Sequence, residues 1–145
     1  MAGQKQPVID CDVHITLRSN RDLLPYIDEA WKPRLKENGT GGLWCGYYSP
    51  VGVPRKDATP PKGGPAASDP DFLIEQLIDP YNIEYAILTG SMYDISSGHD
   101  ADYSAGVISA YNDYVLDQWI GKHPSFKAAL NIATQDPMLA AKEID

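Results

Sequence analysis

Eight residues near the start of the chain, Val8-Ile9-Asp10-Cys11-Asp12-Val13-His14-Ile15, limit its fold more than any other stretch. Side chains along a strand alternate between two faces. Read with that period, Ile9, Cys11, Val13 and Ile15 form an apolar face, and Asp10, Asp12 and His14 form a polar one. The pattern predicts a strand whose apolar face, Cys11 included, is covered by helices. Its polar face would aim carboxylates and an imidazole at one point. Asp12 and His14 are two positions apart, roughly 6–7 Å at Cα, so both can reach a single ion. Imidazole with carboxylate suits Zn and the harder divalent ions. Asp10 lies one step deeper and is expected to steady a ligand from behind rather than to bind the ion. A solvated strand end is the plain alternative. An EF-hand loop is excluded, because its fifth, sixth and twelfth positions would hold His14, Ile15 and Arg21.

Downstream, strand and helix signals alternate. Leu23, Leu24, Ile27, Trp31 and Leu35 recur at helical spacing, which predicts a helix over 21–36 that Pro33 kinks or ends. Residues 38–68 are rich in Gly and Pro and keep no period. So long an irregular segment is uncommon in a compact domain unless it binds, covers a site or is disordered. Trp44, Tyr47 and Tyr48 are too apolar for a free linker, so an excursion beside the site mouth is expected. Its glycines match no phosphate-loop spacing.

Asp69-Pro70 opens a second helix, with Asp79-Pro80 and Asn82 closing it. Tyr85-Ala86-Ile87-Leu88 is wholly apolar, as in a parallel strand covered on both faces. A loop over 89–102 follows, and then a helix over 101–120, stopped by Gly121. A third strand is predicted over 126–132, and Asp136-Pro137 caps the helix that follows it. This order predicts a parallel α/β sheet or barrel. Arg18, just past the polar strand end, and His99, in the loop after the second strand, are candidate substrate residues. Solvated loop side chains are the ordinary reading of both. His123 sits at the opposite end and receives no role.

The net charge of −8, without a dense basic run, argues against nucleic acid. No run of 18 apolar residues suggests a membrane span, and the N-terminus lacks an apolar signal core. The two cysteines, Cys11 and Cys45, are expected as free thiols of a cytoplasmic protein. Gly90-Ser91 lacks the second glycine of a serine-hydrolase elbow.

The strand Ile9-Asp10-Cys11-Asp12-Val13-His14 resembles the first strand of the amidohydrolase superfamily. The likeness is nearest to its amidohydrolase-related branch of metal-dependent hydrolases, which includes aminocarboxymuconate-semialdehyde decarboxylase and resorcylate decarboxylase. Asp69-Pro70, the run from Asn82 to Leu88, and Gln135-Asp136-Pro137 extend the resemblance, which is weakest between Lys36 and Ser68.

The resemblance implies the N-terminal part of a (β/α)8 barrel, about three βα units. Asp12 and His14 would be two ligands of one divalent ion, Zn or Mn, with Asp10 behind them. Further ligands would come from strands beyond Asp145. It implies a metal-dependent hydrolase or decarboxylase acting on a small carboxylate or an aromatic or cyclic substrate, and an oligomer of the full-length protein. A barrel of this kind needs about 250 residues. The 145-residue chain is therefore expected to be a fragment, inactive alone. A non-catalytic binding module built from part of a barrel is the alternative.

Overall fold

The computed structural model describes residues 6–40, 55–90, 92, 95 and 98–145. Three parallel strands form one sheet in the order β1 (Val8–Val13), β2 (Ile83–Leu88), β3 (Phe126–Ala128). Parallel neighbours need crossover connections. The first crossover carries α1 (Lys32–Asn38) and a helical run over 70–81. That run consists of α2 (Pro70–Leu73), a π-helical turn (Ile74–Ile78) and α3 (Asp79–Tyr81). The second crossover carries α4 (Ala101–Val115), whose last turn widens into a π-helical segment (Leu116–Ile120). After β3 the chain forms α5 (Pro137–Ile144). The fold is mixed α/β with a small parallel sheet.

Asx caps set three of the helix starts. Asp69 accepts from the N–H groups of Asp71 and Phe72, Asp100 from Tyr103, and Asp136 from Met138 and Leu139. Pro70 and Pro137 occupy first-turn positions, where the missing N–H costs nothing. Asn82, at φ 55 and ψ 48, ends α3 in the left-handed conformation that Asn tolerates. Asp79-Pro80 therefore lies inside the last turn rather than beyond it.

The core lies between one sheet face and α4. Ala86, Leu88 and Phe126 face Val107, Tyr111, Val115 and Trp119, and every one is nearly inaccessible. Gly106 admits Trp31 to the outer side of α4, since a Cβ there would stand 3.0 Å from the indole. Thr16 donates from its backbone to Ala67 O (2.9 Å) and from its hydroxyl to Ala66 O (2.7 Å), which fastens the loop before α2 to the chain leaving β1.

Three sequence expectations are corrected here. The helix expected over 21–36 is a 3-10 turn (Asn20–Leu23), a series of turns and then α1. Pro33 sits in the first turn of α1, a position proline favours, so it starts this helix rather than ending one. β3 stops at Ala128 instead of Ile132.

The third correction concerns β1. Asp10 pairs with Ala86 and Val13 with Leu88, so β1 advances three residues while β2 advances two. The carboxylate of Asp10 accepts the N–H of Asp12 at 3.1 Å and withdraws that donor from the ladder. The extra residue exchanges the two faces. Val13, Ile15 and Leu17 are buried, whereas Ile9 and Cys11 lie exposed, Ile9 at 57%. Cys11 is thus not in the sheet–helix interface. Asp10 is out of phase with Asp12 and His14.

Candidate metal centre

From Asp12, inside the bulge, onward the faces alternate. Val13 and Ile15 go under the helices, and Asp12 and His14 go to the open sheet face. His14 Nε2 lies 2.9 Å from Asp12 Oδ1, with both side chains more than half exposed. Thr89, the residue after β2, donates its hydroxyl to the same Oδ1 at 3.2 Å and its N–H to Val13 O at 3.0 Å. The three residues sit at the carboxyl ends of adjacent parallel strands, the edge where open and closed α/β sheets place their sites.

A nitrogen and a carboxylate oxygen at this distance share either a proton or a cation. With a proton, His14 donates through Nε2. With a cation, ligand bonds of about 2.0–2.2 Å put two donor atoms roughly 3 Å apart at right angles and about 3.4 Å apart at the tetrahedral angle that Zn prefers. At 2.9 Å the two side chains are in direct hydrogen-bond contact, and they would have to part to admit an ion in tetrahedral geometry. Catalytic Zn sites take three protein ligands. Among the described residues no group of three His, Cys, Asp or Glu side chains converges. Asp10 does not join the pair, because its carboxylate is turned to the backbone of Asp12.

The other candidates lie elsewhere. Arg18 Nη2 is ion-paired with Asp69 Oδ2 at 3.0 Å. It lines a cleft of about 400 Å³ with Asp22, Tyr26, Lys62, Tyr114 and Gln118, a lining that includes neither Asp12 nor His14. His99 is exposed, one residue before the cap of α4. His123 accepts the N–H of Ser125 through Nδ1 at the amino end of β3. Trp44, Cys45, Tyr47, Tyr48 and Ser91 lie outside the described residues.

Titrations with a structural cause belong to the helical side. The Arg34 guanidinium, followed by the Tyr103 N–H, holds the Asp100 carboxyl below its usual range. Asp117 is held low by the Tyr26 hydroxyl, which is itself raised by that bond. Burial raises Tyr103 and Tyr114.

Sequence reasoning missed Thr89, which it assigned to a loop. The available signal was topological. In a parallel sheet the residue after the apolar run Tyr85–Leu88 stands beside the end of β1.

No protein-family model matches this chain, and no curated protein is detectably similar to it. Among the described residues no helix is long and apolar enough to cross a membrane.

Proposed function

We propose that this chain forms the first three βα units of a (β/α)8 barrel of the amidohydrolase-related kind. It would work there as a metal-dependent hydrolase or carboxy-lyase on a small carboxylate or an aromatic or cyclic substrate. The observation that carries the reading is the Asp12–His14 pair at 2.9 Å on the carboxyl edge of a parallel sheet. Two features support it. The strands run in sequence order through helical crossovers. The sheet face opposite α4 exposes Ile9 and Tyr85, as an inner barrel face would before further strands enclose it.

In this reading Asp12 and His14 hold a Zn or Mn ion together with ligands from later strands. The ion, when bound, polarises a substrate oxygen or lowers the pKa of water toward about 7. Asp12 would supply negative charge, and His14 an imidazole nitrogen. A non-catalytic partial-barrel module is the second reading. It is favoured by the presence of only two donors in the group among the described residues.

The test is elemental analysis and turnover of the native protein beside His14→Ala. Bound metal in the parent, reduced at least tenfold in the variant, is expected. Equal metal in both would remove the assignment. Full metal without turnover of aromatic carboxylates, esters or amides would favour the binding module.

A further inference from the structure

We propose that the cleft between the chain leaving β1, the start of α2 and the end of α4 binds a small α-amino acid with an apolar side chain. This goes beyond the metal reading and does not depend on it, since neither Asp12 nor His14 lines the cleft. Tyr114 carries the inference. It is only 8% exposed, yet it lines the cleft. Its hydroxyl lies close to Trp119, Asp22 and Arg18. The indole and the guanidinium can only donate, and Asp22 turns one oxygen to the Ser19 N–H at 3.1 Å. The Tyr114 hydroxyl therefore meets no acceptor among the described residues. Buried donors are normally paired, and an incoming carboxylate supplies the missing acceptor.

The charges of the lining point to a ligand that carries both signs. Arg18, Lys62 and Lys122 stand against Asp22, Asp69 and Asp71. Asp69 is fully engaged, with Arg18 on one oxygen and the N–H groups of Asp71 and Phe72 on the other. Taking that pair away leaves the two lysines facing Asp22 and Asp71. A plain anion would meet both carboxylates, whereas an ammonium beside the ligand's carboxylate answers them. Pro25, Pro70 and the Tyr26 ring form an apolar wall. The volume of about 400 Å³ falls within the range of small-molecule sites, about 300–1,000 Å³. Arg18 is held ready. Its Nη2 meets the buried Asp69 at 3.0 Å, and a Cβ on Gly64, at φ 106, would stand 3.2 Å from its Cγ. Only Nη2 is engaged, so the guanidinium keeps further N–H donors for a carboxylate, and its fixed position lowers the ordering cost of binding.

The experiment is calorimetric titration of the native protein with L-phenylalanine, L-leucine, 3-phenylpropionate and 2-phenylethylamine. The parent is compared with Tyr114→Phe and Lys122→Gln, with Tm measured for each. Phe keeps the ring and loses only the hydroxyl. Lys122 is exposed, so its variant carries the test if Tyr114→Phe does not fold. Saturable binding of at least one amino acid is expected, with both phenyl analogues, which lack one charge, weaker than L-phenylalanine. Tyr114→Phe should raise the Kd about tenfold or more, and Lys122→Gln should raise it by a smaller factor. No saturation by either amino acid at millimolar concentration overturns the proposal. Equal Kd in the parent and both variants overturns it too, since binding then lies elsewhere. Binding of 3-phenylpropionate as tight as that of L-phenylalanine overturns the amino-acid assignment.

Discussion

Arg18 reaches across 51 positions to Asp69, Nη2 to Oδ2 at 3.0 Å, and so ties the chain leaving β1 to the start of α2. Asp69 is buried and serves two partners. One oxygen takes Arg18, and the other caps α2 through Asp71 and Phe72. Asp69→Ala should cost about 2 kcal/mol: roughly 1 for the cap and roughly 1 for the charge-assisted bond, which Arg18's exposure keeps at the low end. Asp69→Asn keeps a capping oxygen and should cost about half as much. Urea denaturation of the two variants measures this. Equal losses would show that the cap contributes nothing.

Asp100 gives a prediction about acid. Its carboxylate meets Arg34, whose guanidinium lies 3.9 Å from the centre of the Tyr103 ring, and it caps α4. Both contacts favour the ionised form, so the folded pKa is lowered. The resulting stability is present above the ordinary aspartate value near 4 and is lost as the pH falls through the lowered folded value. Asp100→Asn keeps a cap but has no charge to lose. Between about pH 7 and about pH 3 its Tm should therefore fall less than the parent's. Parallel falls would mean that Asp57 and Asp117, also held low by their partners, account for the acid sensitivity.

What the sequence made legible was local. Asp69 and Asp136 each mark a helix start by a side-chain oxygen facing N–H groups two or three residues on, and that rule needs no tertiary knowledge. The apolar run 85–88 belongs to β2 for the same reason. The face assignment of β1 failed because a period-two reading assumes an unbroken ladder. The 3.1 Å bond from Asp12 N–H to Asp10 Oδ1 breaks it, and one inserted residue moves Cys11 into the open. Asp12 and His14 still meet because no further residue is inserted between them, and His14 Nε2 lies 2.9 Å from Asp12 Oδ1. Arg18 looked free because its partner is far along the chain, and such a contact leaves no mark in local spacing.

Cys11 turns that error into a test of the barrel. It stands exposed on β1, where Ile9 is also uncovered. In residues 1–145 carrying Cys45→Ser, a maleimide should label Cys11 at the rate of an unhindered thiol. Cys11→Asp should then cost less than about 1 kcal/mol, as a surface substitution does. In a native protein that extends past Asp145 and closes the sheet, further strands would cover this face, and labelling should slow at least about tenfold as access comes to depend on opening. Slow labelling of residues 1–145 would contradict the exposed thiol. Rapid labelling of both forms would leave the sheet face open in the native protein and remove the argument for a closed barrel.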